Sequence, residues 1–131
     1  MDELFIEARV ENLETLLGFI STRLEGCPAK LKNMVSIAAE EIFSNISRYA
    51  YYPSVGGVTV RIMVDSDITI IFEDSGKVFD PLSGNDPDVS LSADEREIGG
   101  LGVFMVRNIM DTAEYRREGD KNILTVRKKL A

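Results

Sequence analysis

At Gly56-Gly57 the hydrophobic period of this chain changes, and that change limits the folds open to it. Before it, apolar residues recur at helical spacing: Val10, Leu13, Leu16 or Leu17, Ile20 and Leu24, then Leu31, Val35, Ala38, Ile42 and Tyr49. Each run lays an apolar stripe along one face of a helix. After it, Val58, Val60, Ile62 and Val64 alternate with Thr59, Arg61 and Met63, as in a half-buried strand. Ser66-Asp67 turns the chain, and Ile68 to Glu73 returns as the partner strand of a hairpin. A short strand over Leu4 to Ala8 precedes the helices, and Gly26-Cys27-Pro28 separates them. The second helix is expected from about Ala29 to Ala50. Further on, Leu101, Phe104, Met105, Ile109 and Met110 resume the helical period, and Thr112 to Glu118 with Ile123 to Leu130 form a terminal hairpin about Gly119-Asp120. Strand, two helices, two strands, loop, helix, two strands: this order predicts an α+β fold in one domain, residues 1–131. Its sheet would be mostly antiparallel, with three helices on one face.

Composition removes several chemistries. The chain has no histidine, which excludes serine-histidine and cysteine-histidine catalysis and imidazole metal sites on its own residues. A single cysteine, Cys27, permits neither an intrachain disulfide nor a cysteine metal cluster, and fits a cytoplasmic address. A net charge of −7 argues against a nucleic-acid surface, where clustered Lys and Arg must neutralise phosphate. No apolar run approaches the length of a membrane span, and the acidic start, Met1-Asp2-Glu3, is not a signal peptide.

Three polar features break the apolar pattern. On the second helix, with Ala38 as reference, Asn45 falls about 20° away and inside the apolar arc, with Glu41 about 40° beyond it. Glu40 and Ser47 point the opposite way. An inward amide or carboxylate is costly unless bonded, by neighbouring backbone or by a ligand. Next, the alternation of Ile68, Ile70 and Phe72 extends to Asp74, so that carboxylate faces inward at a strand end before Ser75-Gly76. Third, Gly99-Gly100-Leu101-Gly102 stands at a helix start. Each alone has an ordinary reading: a satisfied core amide, a turn, close packing. Together they suit one ligand. Helix-start N–H groups suit phosphate, an amide oxygen suits a hard cation such as Mg²⁺, and an inward carboxylate accepts from an exocyclic amine. Gly76 would let a flat ring approach. The sum is Mg-ATP. Between the features, Lys77 to Ile98 reads as a long polar, acidic loop of a functional kind. Calcium is the rival reading of its carboxylates, but the alternating ligand spacing of an EF-hand is missing.

These residues resemble a known family. Glu41-x-x-x-Asn45 looks like the N box of the GHKL ATPases, the superfamily of gyrase, histidine kinases and mismatch-repair ATPases. Asp74-Ser75-Gly76-Lys77-Val78-Phe79 resembles its adenine-binding G1 box, and Gly99-Gly100-Leu101-Gly102 its glycine-rich lid motif. The resemblance covers nearly the whole chain and implies a Bergerat-type ATP-binding fold, a two-layer sandwich on a mostly antiparallel mixed sheet. It makes Asn45 the Mg²⁺ ligand and Asp74 the acceptor for the adenine amine. Gly76 would pack against the ring, with Phe79 beside the nucleotide. Gly99, Gly100, Leu101, Gly102 and Val103 would hold the phosphates, and Glu41 would be the general base.

Within the superfamily the short single-domain form looks like the anti-sigma-factor serine kinases. These bind a sigma factor and phosphorylate a serine on a STAS-fold anti-anti-sigma protein, often as homodimers. Many of them carry histidine four residues after the asparagine; here the position is Tyr49. Asn45-x-x-Arg48-Tyr49 is closer to the histidine-kinase box, where the basic residue contacts phosphate and the aromatic lies near adenine. Three functions remain open: an ATP-dependent protein-serine kinase that sequesters a partner, a nucleotide-controlled switch with little or no transfer, and a split histidine kinase acting on another chain.

Overall fold

The computed structural model describes residues 1–80, 82 and 100–130 of the chain. Gly99 and most of the expected lid lie outside the described residues.

The chain opens with strand β1 (Asp2–Glu7), passes a 3₁₀ turn (Val10–Asn12) and enters helix α1 (Leu13–Arg23). Leu16, Ile20 and Leu24 are fully buried, as their spacing predicts. Val10, expected at the head of that stripe, stands outside it and is exposed, because the tighter 3₁₀ turn breaks the α-helical phase. Gly26 (φ +91°) stops the helix in the left-handed region, which glycine enters without a Cβ clash. Helix α2 (Ala29–Asn45) buries Val35, Ala38, Ala39, Ile42 and Phe43.

At Asn45 the second helix departs from expectation. It does not run on as an α-helix to Ala50; Ile46–Ala50 forms a π-helical turn. The wider turn brings both Ile46 and Ala50 into the core. Ser47, expected to face solvent, is half-buried, and its hydroxyl donates back to the Phe43 carbonyl at 2.9 Å.

Strands β2 (Gly57–Val64) and β3 (Asp67–Asp74) form the expected hairpin, and α3 (Gly100–Ile109), β4 (Thr112–Glu118) and β5 (Lys121–Lys129) complete the chain. The sheet order is β1-β2-β3-β5-β4. Every pairing among the described residues is antiparallel, so the sheet expected to be mixed has no parallel pair there. The inward face carries Val58, Val60 and Ile62, then Ile68, Ile70 and Phe72, then Leu124 and Val126, all buried in one core with the helices. Each such side chain contributes roughly 1.5–3 kcal/mol by leaving water. That surplus lets the same face hold polar groups at one end. The outward face stays open and charged, with Arg61 paired to Glu3 at 2.9 Å and to Glu73 at 3.6 Å.

Register decides where the polar end lies. Val58 stands opposite Asp74, Asp74 opposite Asn122, and Asn122 opposite Arg117. One rung of the sheet thus aligns a carboxylate, an amide and a guanidinium across β3, β5 and β4, all on the inward face.

Candidate functional site

Asp74 ends β3 with 3% of its surface exposed. Its Oδ1 accepts two hydrogen bonds, from the Gly76 N–H at 2.9 Å and from the Asn122 side-chain amide at 2.8 Å. Burial pushes the carboxyl pKa up; the bonds from Asn122 and Gly76 and the charge of Arg117 oppose that rise without cancelling it. Among the described residues no hydrogen bond reaches Oδ2.

Asn122 is the hub of this end of the sheet. Its Oδ1 accepts from the Phe79 N–H at 3.1 Å, the Tyr115 hydroxyl at 2.6 Å and Arg117 at 3.2 Å. Its Nδ2 also donates to the Lys77 carbonyl at 2.8 Å, and Arg117 reaches the Gly76 carbonyl at 2.8 Å. Residues 76–79 are therefore tied to β4 and β5 at three points. Sequence reasoning missed Asn122 because it started the last strand at Ile123. Carrying the inward alternation of Leu124 and Val126 one step back would have found it.

The same segment is held from the helix side. Lys77 N–H donates to the Ala50 carbonyl at 3.0 Å. The Tyr51 hydroxyl donates to the Gly57 carbonyl at 2.6 Å and accepts from Ser75 N–H at 2.8 Å. Burial raises the Tyr51 phenol pKa and the charge of Asp74 adds to it, against the Ser75 bond. Gly76 has its own reason to be glycine: a Cβ there would meet the Ala50 carbonyl group, 2.8 Å from its carbon. The sequence reading explains this glycine by the approach of a ligand ring; the end of the π turn, which fills the Cβ position, gives it a second reason.

Asn45, the last residue of α2, is 4% exposed. Its Oδ1 is the one buried side-chain polar atom without a hydrogen-bond partner among the described residues. Glu41, one turn earlier, is half-buried. Arg48 is exposed, and Tyr49 is half-buried with its ring tilted 46° against that of Phe79, centroids 5.6 Å apart. The structure thus brings together two residues expected near the nucleotide, one from the π turn and one from the segment after β3. Gly100, Leu101, Gly102 and Val103 form the start of α3, which packs along α2. The expected glycine-bearing helix start is present from Gly100 on.

A cleft of about 230 Å³ lies elsewhere, lined among others by Asp80, Arg107, Met110 and Tyr115. It shares Tyr115 with the network, but neither Asp74 nor Asn45 lines it. The polar pattern, not the size of this cleft, marks the site. Its donors and acceptors are an amide oxygen for a hard cation, a free carboxylate oxygen for an amine, and a helix start for an anion.

Comparison with known proteins identifies the family and the fold. The histidine kinase-like ATPase domain matches residues 6–128. The serine/threonine-protein kinase BtrW of Bordetella bronchiseptica is 27% identical over 101 residues, covering 75% of this chain and 70% of that protein. The RsbU and RsbW domains of Rv1364c from Mycobacterium tuberculosis superpose with a TM-score of 0.63 at 15% identity. The histidine kinase domain of the EL346 blue-light activated histidine kinase from Erythrobacter litoralis superposes with a TM-score of 0.60 at 18% identity. They cover 99% and 92% of this chain, which spans 33% and 60% of theirs, and what is shared with them is the fold. Matched across residues 6–128, the chain belongs to the histidine kinase-like ATPase domain family of the GHKL superfamily.

Proposed function

We propose that this ATPase domain is a protein-serine kinase and anti-sigma factor, transferring phosphate from ATP to a serine on a STAS-fold anti-anti-sigma protein. The observation that carries the reading is the buried, unpartnered Oδ1 of Asn45. A native core leaves few such atoms without a partner, and each costs about 1–3 kcal/mol. A ligand that completes it offsets that cost. A magnesium ion fits: it would take Asn45 Oδ1 and draw its remaining ligands from phosphate oxygens and water. Bound there, it supplies charge neutralisation for phosphoryl transfer.

The chain's own residues divide the rest. Asp74 Oδ2 accepts from the 6-amino group of the base. The start of α3, from Gly100 to Val103, offers N–H donors to the phosphates. Arg48, on the exposed side of the π turn, adds a positive charge for them, and the Tyr49–Phe79 pair flanks the nucleotide. Glu41, a turn before Asn45, takes the proton from the serine Oγ as it attacks the γ-phosphate. The serine/threonine-protein kinase name borne by BtrW supports transfer to a hydroxyl side chain, and the partner class rests on the resemblance of the motifs.

The test is incubation with γ-labelled ATP, Mg²⁺ and a STAS protein encoded beside this chain. Label on serine that disappears in Glu41→Ala, with ATP binding retained, is the expected result. Tight ATP binding without transfer to such a partner would replace the kinase reading with a non-catalytic switch.

A further inference from the structure

Asn122 belongs to none of the family motifs quoted above, yet five hydrogen bonds meet on its amide. Their polarity leaves it no freedom to flip. The Phe79 N–H and the Arg117 guanidinium can only donate, so the atom they meet is the oxygen. The Lys77 carbonyl can only accept, so the atom facing it is the nitrogen. That same nitrogen faces Asp74 Oδ1. Asp74 Oδ1 thereby receives donors from two sides, Gly76 N–H and Asn122 Nδ2, and keeps no capacity to carry a proton between them.

We propose that Asn122 is the positioning residue that sets base specificity: it holds Asp74 with Oδ2 as a bare acceptor, so the site selects a 6-amino purine over a 6-oxo purine. The proposal rests on the reading of Asp74 as the base acceptor and goes beyond it, because selection is assigned to an amide outside the pocket motifs. A carboxyl group free to turn or to protonate could offer an O–H to a 6-oxo group as readily as it accepts from a 6-amino group. The two donors on Oδ1 stop the group from turning and favour its ionised form, which leaves Oδ2 an acceptor.

The consequence for Asp74→Asn is an inversion. The new side-chain amide must turn its oxygen to the two donors at the Oδ1 position, which leaves its NH₂ at the Oδ2 position. That group donates, and it favours a 6-oxo base.

The experiment is displacement of a sugar-labelled fluorescent ATP by ATP and by inosine triphosphate, at pH 8 with Mg²⁺, on the full chain. Wild type is expected to favour ATP by about tenfold or more, since a buried acceptor facing a second acceptor loses its bond. Asp74→Asn should favour inosine triphosphate. Asn122→Ala removes the donor to Asp74, and the ratio of the two affinities should fall toward one. Asn122→Asp guards against a folding defect: it keeps an acceptor for Phe79, Tyr115 and Arg117, but puts an acceptor where Asp74 needs a donor. Its ratio should fall as well. A folded Asn122 variant that retains the wild-type ratio overturns the proposal, as does Asp74→Asn still preferring ATP. A wild-type protein that binds neither nucleotide, or both equally, instead overturns the underlying reading of Asp74, and does so before any substitution is made.

Discussion

Asn45 and Asn122 are the same side chain at nearly the same burial, 4% and 2% exposed, and they are treated in opposite ways. Asn122 has both ends of its amide saturated by a strand, a lid root, a tyrosine and an arginine. Among the described residues Asn45 keeps its oxygen unpartnered, at the point where α2 gives way to a π turn. Burial alone therefore does not say whether a polar group is structural. What separates the two is whether the fold itself supplies the partners. Where it does, removal should cost stability; where a ligand has to, removal should cost binding.

The comparison breaks most visibly at Asn122. Asn122→Ala strips a donor from Asp74 and strands the Phe79 N–H and the Lys77 carbonyl, which should lower unfolding free energy by about 2–4 kcal/mol in urea without nucleotide. A loss below about 0.5 kcal/mol would mean the hub is ornamental. Asn45→Ala should leave the free protein as stable as wild type and abolish its stabilisation by Mg-ATP, about 2.7 kcal/mol at a hundredfold excess over Kd. Thermal melting with and without Mg-ATP reads both quantities. An undiminished rise in Tm would remove Asn45 from the site.

Gly76→Ala tests whether the two regions are one rigid unit. Its methyl meets the Ala50 carbonyl group, so either the π turn or the segment after β3 must shift, at about 1–3 kcal/mol. Full stability in that variant would show that the contact yields freely.

The smallest effect concerns Asp74. Its pKa in the folded protein is raised above the ordinary 3.8, so the native state binds the proton more readily than the unfolded chain. The resulting stability is present below the ordinary value and lost as pH rises through the raised one. At pH 7 the buried charge opposes folding. Asp74→Asn, whose oxygen can still accept from Gly76 and Asn122, should melt at or a few degrees above wild type at pH 7. The gap should close as pH falls through the raised value toward 3.8. A gap that widens on acidification would reverse the assigned direction.

Asp74 and Asn45 were legible in the sequence because periodicity carries them. Two-residue alternation runs from Phe72 to Asp74, and helical phase puts Asn45 among Ala38 and Ile42. Three features were not, each for a physical reason. Asn122 looks like a turn residue after Asp120-Lys121, and only strand register shows it beside Asp74. The contact of Tyr49 with Phe79 joins residues from two elements, which no local period records. The packing of the Ala50 carbonyl against Gly76 joins a helix end to a strand end, which nothing in the local sequence shows.

The π turn has a consequence for how this chain is compared with others. An i→i+5 turn uses about one residue more than the α-helical turn it replaces. Letters after Asn45 therefore run ahead of positions in space. Against a relative whose helix continues regularly, Arg48 and Tyr49 match by counting but not by location, until a one-residue gap is opened after Asn45. Positions matched by motif keep their register up to that asparagine, and beyond it they have to be matched by superposition.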